Sequence, residues 1–110
     1  MSTVNAFTPK GQTYLVTTSD LQVKTQDNVY AVSYRVVNIT SGTVYLGFKP
    51  ADPVGASVSV GTVAAPTAGS PVTNIVGFLA GSIEVLSFPP NAWFKSDTAN
   101  ALLITPGEGI

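Results

Sequence analysis

Two stretches of strict alternation constrain this chain more than any other feature in it. In YAVSYRVV, Tyr30, Val32, Tyr34 and Val36 fall on one side and Ala31, Ser33 and Arg35 on the other. In VYLGFK, Val44, Leu46 and Phe48 oppose Tyr45, Gly47 and Lys49. A period of two marks a half-buried strand, because successive side chains leave a pleated backbone on opposite faces. Between the two runs lies NITSG, Asn38 to Gly42, a cluster of turn formers of about hairpin-loop length, so the pattern predicts that the two strands pair as a hairpin.

Weaker strand signals surround this pair: TYLVT from Thr13, LQVK from Leu21, SIEVLSF from Ser82, AWFK from Ala92 and ALLIT from Ala101. Turn formers separate them at Ser19-Asp20, Gln26-Asp27-Asn28, Pro89-Pro90-Asn91 and Ser96-Asp97-Thr98. Helical periodicity is almost absent. Strands at intervals of about ten residues with turn chemistry between them predict an all-β fold, an antiparallel β-sandwich of jelly-roll-like arrangement. With 110 residues the chain has the length of one domain, 1–110, opening on an extended segment, 1–12.

One segment departs from the pattern. Pro50 to Phe78 holds Pro50, Pro53, Pro66 and Pro71 together with Gly55, Gly61, Gly69 and Gly77, and no charge after Asp52. Such a stretch reads as a Pro/Gly-rich arm laid over a partner, the alternative being a mobile surface insertion. Ser57 to Val60 and Asn74 to Phe78 are short apolar pieces within it that suit edge strands.

Charged residues are 10% of the chain against 45% hydrophobic ones, well below the roughly 25% charge usual in soluble domains. The surface must therefore be rich in Ser, Thr, Asn, Gly and Ala, which is easily desolvated and suits contact with protein. Net charge is −1, and the basic residues Lys10, Lys24, Arg35, Lys49 and Lys95 are scattered, so nucleic acid is not expected as a partner. No apolar run approaches a membrane span, and MSTVNAFTPKGQ lacks the pattern of a signal peptide, which reads as a protein made in the cytosol.

Catalytic chemistry finds little to use. Histidine and cysteine are absent, removing the commonest general base, the thiolate nucleophile and the usual zinc ligands. Of the six carboxylates, Asp20, Asp27, Asp52 and Asp97 sit in turn contexts where aspartate bonds to nearby backbone, and Glu84 falls on the outward side of its strand. No glycine pattern for phosphate binding precedes a helix. The expectation is a protein that is not an enzyme and carries no cofactor and no metal. Trp93 and Phe94 are adjacent, so in a strand only one can enter a one-sided core. The other is a candidate for a subunit interface or, less simply, for stacking on a sugar in a carbohydrate-binding module.

The run VVNITSGTVYLGFKP followed by GSIEVLSFPPNAWFKSDTANALLITPGEGI resembles the ends of a group of small tailed-bacteriophage virion proteins. The shared outline is a V-x-N turn at Val37-Asn38, a strand with a prominent Phe at Phe48, a strand from Gly81 to Leu86, an aromatic strand at Trp93-Phe94, and the ending from Leu103 to Ile110, whose PGEG is its most specific part. That resemblance covers about half the chain. It implies a capsid decoration or cement protein on the outside of an HK97-type shell, assembled as a dimer or trimer and bridging subunits of the major capsid protein; a tail or head-to-tail adaptor is the alternative. Localisation would be the virion, after synthesis in the host cytoplasm. Contact candidates on this reading are Phe7, Pro53, Val54, Val63, Trp93, Phe94, Pro106, Glu108 and Ile110. The tail 106–110 is expected to leave the last sheet at Pro106, which lacks a backbone donor.

Overall fold

The computed structural model describes residues 7–23, 33–50, 58–89 and 92–108. Nine strands are formed among them: β1 Thr8–Pro9, β2 Tyr14–Val16, β3 Leu21–Gln22, β4 Ser33–Asn38, β5 Val44–Lys49, β6 Ile75–Phe78, β7 Ile83–Leu86, β8 Trp93–Ser96 and β9 Leu102–Glu108. They build an antiparallel β-sandwich. One sheet, sheet A, has β1 and β2 end to end on one side of β9, then β4, then β7 at the far edge. Sheet B runs β3-β8-β5-β6. The chain changes sheet at every step except β1 to β2 and β5 to β6.

The hairpin expected between the two best-marked strands is therefore not made. Both strands form, but β4 pairs with β7 and β9, whereas β5 pairs with β6 and β8. Their apolar faces explain the difference. Tyr34 and Val36 on β4, and Val44 and Leu46 on β5, are at most 2% exposed. In a hairpin these side chains would share one face and need a third element above it; with one strand in each sheet, the two faces bury each other. Stacked sheets lie about 10 Å apart, a distance that a few extended residues cover.

Asn38 fastens this crossing. Its Nδ2 donates to the carbonyl oxygens of Gly42 at 2.8 Å and of Phe78 and Leu79 at 3.0 Å. Its Oδ1 accepts from Thr40 N at 2.9 Å and Thr40 Oγ1 at 2.7 Å. The β4–β5 loop is thereby tied to the β6–β7 turn. Nearby, Ile39 N donates to Ala101 O at 3.0 Å and Asp97 Oδ1 accepts from Tyr45 N at 3.0 Å, so the loops at this end hold one another.

The core between the sheets is aromatic at its centre. Phe94 meets Tyr34 and Phe88 edge to face with ring centroids 5.3 and 5.1 Å apart, and Phe48 joins through Phe88 at 5.0 Å. Leu102, Ile104, Leu46, Phe78, Val16 and Val23 complete it. Tyr34 is fully buried and its hydroxyl has no hydrogen-bond partner, and burial pushes that hydroxyl from 10.0 up to about 12. The fold thus favours the protonated phenol. This contribution is complete below pH 10 and is lost as the pH rises from about 10 to about 12. Urea unfolding at pH 9 and pH 11 should show the loss, and Tyr34→Phe should abolish that part of it. Because no bond is broken, Tyr34→Phe itself should be neutral or stabilising by up to about 1 kcal/mol.

Pro106 does not end the last strand. β9 continues through Gly107 to Glu108, with Tyr34 opposite Pro106 and Ser33 opposite Gly107 on β4. The Pro106 carbonyl accepts from Lys10 N at 2.9 Å, so the side of the residue that lacks a donor faces β1 and β2. There, Lys10 to Thr13 stand against only Thr105 and Pro106, between the pairs Pro9–Gly107 and Tyr14–Ile104. The partner bulges where the donor is missing, one of the places a sheet accepts proline. Gly107 is required at its position: a Cβ there would meet the Thr8 carbonyl oxygen and stand 2.5 Å from Phe7 Cζ.

The segment 50–78 is partly strand. Ile75–Phe78 is β6, the edge strand of sheet B, in keeping with the apolar piece Asn74 to Phe78. Residues 58–60 form no strand, and 51–57 lie outside the described residues.

Candidate functional site

The contact candidates fall into three environments. Phe94 is fully buried at the centre of the core, and Pro106 is buried in β9, so neither presents a side chain to a partner. Phe94 is the member of the Trp93-Phe94 pair that fills the core, because its partner across the sheet, Phe48, belongs to the inward face of β5. Phe7 packs over Gly107 on the outer face of sheet A, half-buried; Glu108, of the opposite face by alternation, is exposed at the end of β9 with its carboxylate 3.4 Å from Lys10 Nζ. An exposed pair of this kind contributes little to stability. Pro53, Val54 and Ile110 lie outside the described residues.

The outer face of sheet B carries the other two candidates. Trp93 is half-buried between Gln22 and Lys49 in the register, and its Nε1 is closed off from solvent with no hydrogen-bond partner. The indole N–H is therefore not available to a sugar hydroxyl. Val63 lies against Gly47: its Cγ2 would be 2.6 Å from a Cβ built there, and Val60 Cγ1 3.2 Å. The start of the described part of the arm is thus seated on its own sheet, with Val60 N donating to Asp20 Oδ1 at 3.0 Å. Beside it is a cleft of 170 Å³ whose wall includes Phe48, Lys49, Thr62 and Asn74. It offers one cation and uncharged polar groups, without a carboxylate or an acid–base pair. No group of three or more carboxylates able to hold a metal occurs among the described residues, and no helix there is long and apolar enough to cross a membrane.

The alternation pattern did not disclose the surface that the tertiary structure makes most prominent. On the outer face of sheet A, Leu15 stands opposite Leu103, Leu103 opposite Val37, and Val37 opposite Ile83. An apolar row thus crosses four strands, 42% exposed at Leu15 and 58% at Ile83. Ile39, two residues past Val37, is also exposed. Its signal in the sequence is the absence of alternation at Val36-Val37 and Leu102-Leu103-Ile104, where both faces of a strand are apolar. Glu84 was expected to point away from the core. It is exposed, although the register sets it on the inner face opposite Val36, because β7 is the last strand and that face opens to solvent at its edge.

Among the described residues, the outer face of sheet A thus presents apolar side chains next to uncharged polar ones. In comparison with known proteins, the chain matches no family model, no curated protein and no solved structure.

Proposed function

We propose that this chain is a non-enzymatic structural virion protein that binds the outside of a bacteriophage capsid and stabilises it by bridging major capsid subunits. The observation that carries this reading is the row Leu15, Leu103, Val37 and Ile83 across the outer face of sheet A. A monomer that keeps to itself has little reason to leave such a row in water, and a charge-poor surface around it lowers the cost of desolvation on docking. The strand orders β2-β9-β4-β7 and β3-β8-β5-β6, with a change of sheet at every connection except β1 to β2 and β5 to β6, support a jelly-roll reading of the sandwich. That arrangement agrees with the resemblance of the carboxyl-terminal half to small virion proteins.

The mechanism is mass action. A protein that binds the assembled shell and not its separated subunits shifts the equilibrium toward the shell. Many copies at symmetry-related positions multiply a modest contact through effective concentration.

The test is to add purified protein to shells that lack it. Saturable, stoichiometric binding and a higher disassembly temperature are expected, and Leu15→Lys should weaken binding by at least about tenfold, since a half-exposed leucine gains about 1.5 kcal/mol or more when fully covered. Absence of binding to any shell overturns the proposal.

A further inference from the structure

The free edge of sheet A carries a specific pairing. Asn38 N donates to Ser82 O at 2.9 Å, and the register then sets Glu84 opposite Val36 and Leu86 opposite Tyr34. In an antiparallel pair, backbone groups of alternate residues face the same neighbour. Those of Ser82, Glu84 and Leu86 therefore face β4, and those of Ile83 and Val85 face away, where no further strand lies among the described residues. Ile83 is 58% exposed. The edge has no Lys, Arg, Pro or bulge against strand addition, and its one charged residue is Glu84. The other long edge, β6, is a poorer template. Gly77 interrupts its middle, and the Tyr45 ring lies 3.0 Å from where a Cβ would stand.

We infer that β7 pairs antiparallel with β7 of a second copy across a two-fold axis at Val85, joining two copies of sheet A into one continuous sheet. This goes beyond the proposed function and names a strand through which two copies would join.

The edge's own sequence selects both occupant and register. In a two-fold antiparallel pair, the outward-facing residues must bond to each other, so the axis passes through a residue from Ile83 to Ser87. At Leu86 or Ser87, Pro89 of the second copy, which has no donor, would have to face Ile83 or Val85, so fewer bonds form. At Ile83, Val85 would need to pair with Gly81 of the second copy, which has φ +70 and lies in the turn closed by Ser82 N on Leu79 O. At Glu84, two carboxylates would stand directly opposite, which is destabilising. At Val85, Ile83 meets Ser87 of the second copy and Glu84 meets Leu86, with no like charges opposed. Arg35 lies in the Val85 row, so the two guanidinium groups would be three strand spacings apart, about 14 Å, beyond the Debye length at physiological salt. The edge's single charge thus forbids one symmetric register and accepts the one through its apolar neighbour.

Cysteine cross-linking tests this directly, because the native chain has no thiol. Residues opposite each other in a hydrogen-bonded pair have Cα atoms about 5.5 Å apart. Val85→Cys should therefore be joined in high yield by a short bis-maleimide, whereas Ile83→Cys, about 14 Å from its copy at 3.4 Å per residue, should not. The native protein should have the mass of a dimer by light scattering. Val85→Pro removes an outward donor that no bond among the described residues uses, so it should give a folded monomer with an unchanged circular dichroism spectrum. A monomeric native protein, or a cross-linking yield for Ile83→Cys equal to that for Val85→Cys, overturns the inference. A dimer that survives Val85→Pro overturns this edge alone and leaves self-association intact. Shell binding is read in a separate experiment, so its failure is distinguishable from any of these outcomes.

Discussion

Asn38→Ala is expected to lower the unfolding free energy by about 3 kcal/mol, a fall of more than about 10 °C in Tm. The side chain is 1% exposed and satisfies five partners at once. Alanine removes all five bonds: the buried Phe78 carbonyl and the part-buried Thr40 amide lose this partner, while the Leu79 carbonyl keeps Ser82 N, and each buried group left without a partner costs about 1–3 kcal/mol. The partners come from the β4–β5 loop and the β6–β7 turn, so the loss loosens both crossings between the sheets. Asn38→Asp is the sharper variant. A carboxylate keeps the acceptor for Thr40 but points a charge at three carbonyl oxygens, and it should cost at least as much as alanine. Chemical denaturation of the two variants checks this; a loss under about 1 kcal/mol for both would mean that the loop holds its shape without the side chain.

Phe94→Ala is expected to cost about 4 kcal/mol, since removing a fully buried ring forfeits its transfer free energy and leaves a cavity that neighbours fill only in part. Phe94 stacks edge to face on Tyr34 from β4 and on Phe88, and faces Phe48 across the β8–β5 pair. Its removal therefore weakens both sheets' hold on the centre of the sandwich. Trp93→Ala, at a half-buried site on the outer face of sheet B, should cost less. Thermal unfolding of the pair separates the adjacent residues by role: equal losses would contradict the assignment of Phe94 to the core.

Much of the strand content was legible because alternation is local. Tyr34-Val36 and Val44-Leu46 declare their buried faces within a few residues, and the five weaker runs each contain a strand. Pairing was not legible at the best-marked site. An apolar face specifies that something must cover it, and two strands joined by a short loop can meet that need side by side in one sheet or face to face across two. Likewise, Pro106 reads as a stop only if its missing donor is needed; β1 and β2 bulge away there, and the strand runs on. Pro106, Gly107 and Glu108 are thus built into β9, inside sheet A, with Pro106 and Gly107 buried. Candidates chosen for apolar character, such as Phe94 and Pro106, went inward, while the exposed row on sheet A joins residues far apart in the chain.

What the sequence by itself determined is the class of structure: strands from a period of two, breaks from turn formers, and a charge-poor surface suited to contact. What only the tertiary structure decided is which strands lie beside which, and hence which apolar side chains are left exposed. The reason is physical. Side-chain alternation is set by the backbone of each strand alone, whereas burial of its second face depends on neighbours brought from elsewhere in the chain.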